Sequence, residues 1–207
     1  MELSKYEIKF IHEHNADFIS LKYLDDNEIL KQIDVSTKNL QESNLICGSD
    51  IVSLKAIKDK YFFDPFRSHP TVTFFCEKVM NSENARQALI KRIESSNKNH
   101  KNSKIEAKIS FEIDNASNNN SDYNSFASDP VDKYSNLRSE IVNILQNINI
   151  KTTSHFHGQL ISECIIGITG NDIADLADNI VITKFIIANV ADSYALSTKI
   201  LRYNIVH

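Results

Sequence analysis

Cysteine and glycine are both scarce in this chain, and each scarcity argues against a class of site. The three cysteines, Cys47, Cys76 and Cys164, are an odd number without a Cys-x-x-Cys pair, which is typical of reduced thiols in a reducing compartment. Only four residues are glycine, and Gly167 and Gly170 are followed by neither a Lys-Ser/Thr pair nor a further Gly-x-x-Gly. The sequence therefore predicts no P-loop and no dinucleotide fingerprint, and we interpret residues 167–170 as a strand end and turn.

Long apolar runs and a net positive charge are also missing. No segment comes near 18 uninterrupted apolar residues, and the start at residues 1–5 is not a signal peptide, so we expect a cytoplasmic protein with no membrane contact. The formal net charge of −4 and the isoelectric point near 6.0 give no electrostatic reason to expect nucleic acid. The chain does contain 42% apolar residues, which is enough for one large core or two small ones.

The first half of the chain combines two helix patterns with short strand patterns. Residues 4–14 have a helical apolar pattern, although the alternation of Tyr6, Ile8 and Phe10 would also suit a strand. The polar turn at residues 25–27 joins two strands. Two prolines mark the loop between a later pair of strands, and Asp64 and Arg67 beside them are expected to fix that loop. The predicted strands lie at residues 18–24, 29–33, 61–63 and 72–79, and the second helix lies at residues 84–95.

The second half follows a polar linker at residues 97–103 and predicts α+β layering. Residues 115–129 are a low-complexity run of Asn and Ser that buries too little surface to order itself, so we expect it to be mobile. Strands are predicted at residues 104–113, 150–157 and 163–168, and helices at residues 132–147 and 173–196. The apolar stripe predicted for the last helix consists of Ala177, Ile180, Ile187, Ala191 and Tyr194.

Several segments resemble bacterial glutamine synthetase in order and spacing. Residues 178–196 look like the helix that leads into the glutamate- and nucleotide-binding half of that family, and residues 63–77 look like the segment that closes its N-terminal domain. Residues 47–51 stand where the family has an Asp-Gly-Ser-Ser-Ile loop. Residues 130–141, followed by the His-Phe-His sequence at residues 155–157, resemble the helix and His-rich strand of the catalytic domain.

The resemblance implies an α+β fold with two domains. Residues 1–97 are expected to form the family's ubiquitin-like (β-grasp) N-terminal domain, and residues 104–207 the first part of its catalytic domain, with an antiparallel sheet and helices. In full-length relatives further strands pair with that sheet, so we expect an open apolar edge here that seeks a partner. The first domain is expected to fold alone, whereas the second should need burial against another subunit.

The family reaction activates glutamate with ATP and uses two divalent ions, Mg or Mn, which are held mainly by glutamates. The resemblance places those glutamate positions on residues that cannot bind a metal: Ala107, Ile109, Gly158 and Ile165. Cys47 likewise stands where the family's loop has an aspartate that helps a neighbouring subunit's site to bind ammonium. The resemblance therefore predicts a degenerate catalytic site.

Neighbouring acidic residues are not expected to replace the lost glutamates. Glu106, Glu112 and Glu163 lie close by in sequence, but a shift of one residue along a strand turns a side chain to the opposite face. His155 and His157 share a strand face and could bind zinc, with Cys164 or Glu163 as a third ligand. We favour instead a relic of the His-rich strand on a solvated or partner-facing surface, because two histidines specify little.

With these replacements, we expect a degenerate glutamine synthetase homologue that is not a ligase and uses no ATP, Mg or Mn. The expected role is that of an oligomerising or regulatory interaction protein, which assembles with itself or with a full-length glutamine synthetase. The alternative is an active glutamate–ammonia ligase, alone or as part of a split enzyme. A third possibility is a decaying gene product, against which the persistent apolar periodicity argues.

Overall fold

The structure, a computed structural model of the 207-residue chain, describes residues 1–41, 44–45, 53–79, 85–96, 105–114 and 125–206. Two units follow each other along the chain, Met1–Lys91 and Arg92–His207, and each contains a four-stranded sheet. The predicted linker lies outside the described residues, as do residues 47–51 and residues 115–124 of the low-complexity run. The two units are described one after the other.

The first unit begins with helix α1 (Lys5–Glu13), which a capping box fixes at its start. The Ser4 hydroxyl accepts a hydrogen bond from the Glu7 amide at 3.3 Å, and the Glu7 carboxylate accepts one from the Ser4 amide at 2.6 Å. This reciprocal pair satisfies two amides that a helix start would otherwise leave unpaired. The helix predicted from residues 4–14 is confirmed.

Six strands follow α1: β1 (Phe18–Leu24), β2 (Leu30–Ser36), β3 (Leu40–Gln41), β4 (Asn44–Leu45), β5 (Leu54–Phe63) and β6 (Thr71–Lys78). The sheet has the order β2-β1-β6-β5; β1 and β6 are parallel and the other neighbours antiparallel, while β3 and β4 pair with each other. Helix α2 (Ala85–Ser96) comes next. The four predicted strands are confirmed, but β5 begins at Leu54, earlier than the predicted start at residue 61. The sequence did not reveal residues 54–60 of this strand, because Asp59 at φ 59° and a shift in pairing interrupt the alternation.

The core of the first unit includes buried side chains of α1 and the four-stranded sheet, among them Ile11, Ile19, Leu21, Val72 and Phe74. The loop after β5 is fixed as predicted, because the buried Asp64 carboxylate accepts hydrogen bonds from the Phe66 amide at 3.0 Å and the Thr73 hydroxyl at 2.7 Å. Arg67 donates to the Asp34 carboxylate of β2 at 2.7 Å. These contacts tie the loop to two strands.

The second unit contains β7 (Ile105–Asp114), α3 (Ser135–Asn147), β8 (Thr152–His157), β9 (Glu163–Gly170), α4 (Ile173–Ser193) and β10 (Ser197–Val206). All neighbours in its sheet are antiparallel, in the order β10-β7-β9-β8. Asp172 caps α4 by accepting a hydrogen bond from the Asp175 amide at 2.8 Å. None of the helices that the structure describes is long and apolar enough to span a membrane.

The buried surface of α4 is wider than the predicted stripe. Ile187 and Ala191 are buried as predicted, but Ala177 and Ile180 are only partly buried, and Tyr194 lies beyond the end of the helix and is 48% exposed. The buried apolar residues of the helix are Ala174, Leu176, Ile182, Ile186, Ile187, Val190 and Ala191. Because most of the circumference is covered, a single amphipathic stripe describes this helix poorly.

Strand β10 was not predicted, and it forms one edge of the sheet. It pairs with β7 from Ser197 opposite Asp114 to Val206 opposite Glu106, so β7 is an inner strand. The pairing shifts register between Ile200 and Arg202. Such an irregularity breaks the period-two pattern by which a strand is recognised in sequence.

Candidate functional site

The sheet of the second unit has two chemically different faces, because side chains alternate along each strand. Arg138 of α3 marks the helix-covered face, where its Nη1 lies 3.5 Å from Cys164 Sγ. Buried residues on this face include Ala107, Ile109, Phe111, Cys164 and Ile166. The opposite face, which we call the polar face, carries Glu106, Lys108, Ser110 and Glu112 of β7 and Glu163 of β9.

The four predicted metal positions are divided between these faces. Ala107 and Ile109 lie on the helix-covered face and are 0% exposed. Ile165 lies opposite Ser110 on the polar face, and a Cβ at Gly158 would meet the Glu163 side chain there. The four positions therefore do not converge on one site. Their correspondence to the family's glutamates stays a prediction, and Cys47 lies outside the described residues.

Glu163 is the most highly coordinated carboxylate of the polar face, and it is only 2% exposed. Its Oε1 accepts a hydrogen bond from the Ser110 hydroxyl at 2.5 Å and forms an ion pair with Arg202 Nη2 at 3.1 Å. Its Oε2 accepts hydrogen bonds from the amides of Gln159 at 2.7 Å and Leu160 at 3.3 Å. Four donors from three segments thus converge on one side chain.

These contacts keep Glu163 ionised. Burial acts to raise its pKa, but the Ser110 hydroxyl, the two amides and the Arg202 charge outweigh burial, so the pKa lies below its ordinary value. Hydrogen bonds from charged or well-aligned donors are the strong ones in such an environment. The charge of the Glu163 carboxylate is therefore stabilised by donors from the chain itself.

The other two glutamates of the polar face also have partners. Glu106 Oε1 accepts a hydrogen bond from the Thr153 hydroxyl at 2.9 Å, and Glu112 Oε1 accepts one from the Ser162 hydroxyl at 3.1 Å. Lys199 of β10 lies directly opposite Glu112. In the part of the chain that the structure describes, no three His, Cys, Asp or Glu side chains are grouped so that they could hold a metal ion.

The helix-covered face contains a second polar cluster, which is centred on a buried ion pair. Arg138, 2% exposed, forms two hydrogen bonds with the carboxylate of Asp132, 5% exposed, in the turn before α3. Burial raises the pKa of the neighbouring Cys164 thiol to about 11, despite the nearby guanidinium. This thiol is therefore protonated at neutral pH and is a poor zinc ligand.

The two histidines of β8 are placed differently from the surface position that we favoured. His157 is 1% exposed, and its Nδ1 and Nε2 lie 2.8 Å and 3.1 Å from the carbonyl oxygens of Gly158 and Ile161, so a solvated position was wrong for this residue. His155 is partly buried, and burial together with the Arg138 charge lowers its pKa. The backbone carbonyls occupy both ring nitrogens of His157, and this argues against a role in zinc binding.

Ser110 and Arg202 are the site residues that the sequence did not reveal. Arg202 follows the register shift in the unpredicted strand β10, and Ser110 is a small polar residue among larger side chains. Both reach Glu163 through pairings between residues distant in sequence. A predicted strand at residues 197–206, paired with β7, would have placed Arg202 near Ser110. No regular alternation of apolar residues indicated such a strand.

Comparison with known proteins agrees with this architecture. A profile of the glutamine synthetase catalytic domain matches residues 76–201. No curated protein sequence matches the chain. Among solved structures, Plasmodium falciparum glutamine synthetase is similar with a TM-score of 0.73 and 14% identity, over 96% of this chain and 50% of that one.

Two structures of GmaS are also similar. The GmaS/ADP complex has a TM-score of 0.71 and 10% identity over 92% of this chain and 50% of that chain. Ligand-free GmaS has a TM-score of 0.72 and 11% identity, over 92% of this chain and 51% of that chain. These TM-scores show a shared fold, and the chain spans about half the length of the structures that it matches. Because the catalytic-domain profile covers more than half of its residues, the chain belongs to the glutamine synthetase family.

Proposed function

We propose that this glutamine synthetase homologue is not a glutamate–ammonia ligase and acts as an oligomerising or regulatory interaction protein. Residues 1–97 would be its β-grasp N-terminal domain, and residues 104–207 would belong to its catalytic domain. The partner would be a second copy or a full-length glutamine synthetase. ATP and Mg or Mn, which the family uses, would not be used here.

The observation that carries this proposal is that the negative side chains of the polar face are balanced by positive side chains of the same chain. Three carboxylates, Glu106, Glu112 and Glu163, share this face with Lys108, and β10 adds Lys199 opposite Glu112 and Arg202 opposite Ser110. The formal charge of these six side chains is zero. A site that holds two divalent ions needs an excess of carboxylate oxygens.

An interaction role is supported by apolar side chains on the edge strand β10. Leu201, Tyr203 and Ile205 are 36%, 41% and 52% exposed, although each is a large apolar residue. In the described residues β10 is a terminal strand of its sheet, with β7 as its neighbour. Exposed apolar edge strands are ready templates for association.

The catalytic part is tested with protein from a host that lacks its own glutamine synthetase. Glutamine formation and glutamate-dependent ATP hydrolysis are measured with Mg or Mn, glutamate and ammonium, and an active synthetase serves as the positive control. We expect neither product above background. Turnover that follows this chain through purification would support the ligase alternative and refute our proposal.

The interaction part is tested by light scattering on the full chain. We expect an assembly whose mass falls when Tyr203→Lys places a charge on the edge strand. Tyr6→Lys is the matched control, because Tyr6 is 81% exposed on α1. A monomeric wild-type chain that also fails to bind purified full-length synthetase would refute the interaction role.

A further inference from the structure

Gly158 leaves a space on the polar face that the Glu163 side chain fills. A Cβ at Gly158 would lie 2.4 Å from the Cγ, Cδ and Oε2 atoms of Glu163, which is too close for any real contact. A longer side chain at position 158 and the present Glu163 conformation are therefore mutually exclusive. The Glu163 side chain occupies the space into which a side chain at residue 158 would extend.

The bonding capacity of this carboxylate is fully used within the chain. A carboxylate has about four lone-pair directions, two on each oxygen. Oε1 has Ser110 and Arg202 as partners, and Oε2 has the amides of Gln159 and Leu160. A divalent cation would have to displace one of these donors.

Arg202 is the donor that differs in kind from the other three. It is a cationic guanidinium, and its side chain is 52% exposed, whereas the side chain of the carboxylate that it pairs with is 2% exposed. It comes from β10, on the far side of β7 from Glu163. The ion pair therefore bridges three strands across the polar face.

We propose that Arg202 is a built-in cation that takes the place of a divalent metal ion at Glu163. This inference rests on the proposed non-catalytic function and specifies how the polar face is neutralised. The residues present do not fit a metal: the carboxylate is saturated by internal donors, and its counter-charge is covalently part of β10. The sheet is then assembled without a metal ion.

The test measures Mn²⁺ binding by electron paramagnetic resonance, in which bound Mn²⁺ loses the signal of the free ion. We expect wild-type protein and Lys199→Ala to leave the signal unchanged. Arg202→Ala should acquire binding, because Glu163 Oε1 is released and Glu112 lies directly opposite on the same face. Lys199→Ala is the matched control, since it removes the same charge from the same strand and face.

Two further measurements separate the outcomes. Mn²⁺ should raise the melting temperature of Arg202→Ala but not of the control, and adding Glu163→Gln should abolish the acquired binding. If Arg202→Ala does not fold, Arg202→Gln makes the same comparison with a longer uncharged side chain. Wild-type binding that depends on Glu163, or equal behaviour of the Arg202 and Lys199 variants, would overturn the inference.

The inference and the proposed function can fail separately. Glutamine formation by the wild-type chain would refute the non-catalytic function whatever the Mn²⁺ result. A chain that makes no glutamine but binds Mn²⁺ through Glu163 would overturn only the role of Arg202. The two experiments therefore give distinguishable answers.

Discussion

The buried pair of Arg138 and Asp132 is the contact whose loss should most destabilise the second unit. Asp132→Asn keeps the size of the side chain but removes its charge, and the guanidinium of Arg138 remains 2% exposed without a counter-ion. Breaking a buried ion pair by removing one partner costs about 3–5 kcal/mol, because an uncompensated charge stays in a medium of low polarity. Domain stabilities are about 5–15 kcal/mol, so this one substitution would remove a large share.

The assay is urea unfolding followed by circular dichroism, with the free energy of unfolding taken from the transition of the second unit. Asp129→Asn is the matched control, since its carboxylate lies three residues earlier and accepts an exposed hydrogen bond from the Ser135 hydroxyl at 2.8 Å. We expect the control to change the free energy of unfolding by less than about 0.5 kcal/mol. Equal effects of the two substitutions would refute the buried-pair argument.

The pH dependence gives an independent check on Asp132. Burial acts to raise its pKa, but the hydrogen bonds and charge of Arg138 outweigh burial and hold the pKa below its ordinary value. A lowered folded-state pKa contributes stability that is present above the unfolded value of about 3.9 and is lost as the pH falls through the folded value. Wild-type stability should therefore fall more steeply below about pH 4 than that of Asp132→Asn.

The double variant Asp132→Leu with Arg138→Met distinguishes a broken pair from an absent one. Replacing both partners by apolar side chains of similar volume is often neutral or stabilising. We expect the double variant to recover most of the stability that Asp132→Asn loses. Failure to recover would show that the Arg138 contacts other than Asp132, such as Cys164 Sγ, dominate.

Three further predictions follow from close contacts in the second unit. Gly170→Ala should lower the free energy of unfolding by about 1–3 kcal/mol, and by more than Gly167→Ala does. The added Cβ at residue 170 would meet the backbone of α4 at 2.5 Å, whereas the atoms near Gly167 belong to side chains. Urea unfolding of both variants checks the order. A variant with Cys164 as its only cysteine should react with a thiol reagent only after unfolding, given its burial and its pKa of about 11; rapid reaction of the native form would contradict this. Dialysed protein should hold no zinc that is lost when His155 and His157 are both changed to Ala, as metal analysis can establish.

Local patterns in the sequence predicted most of the fold. Helix α3 illustrates why, since its buried residues Leu137, Ile141 and Leu145 recur at helical spacing and need no information from elsewhere in the chain. Strand β10 was missed because its pairing shifts register between Ile200 and Arg202, which breaks the alternation. The partners of the site depend on that strand, so they could not be predicted without it.

The two faces of β7 determine where a metal ligand could be placed on this strand. Ala107 and Ile109 are completely buried on the helix-covered face, beside Phe111 and opposite β9. A glutamate at either position would bury an ion without a partner, which costs far more than a domain can tolerate unless the group is neutralised. On the polar face Glu163 already has its full set of donors, and Glu106 and Glu112 each accept a hydrogen bond from a neighbouring hydroxyl. Turning residues 107 and 109 into ligands on the polar face would therefore require a change in the register of β7 as well as in residue type, because a shift of one position exchanges the two faces.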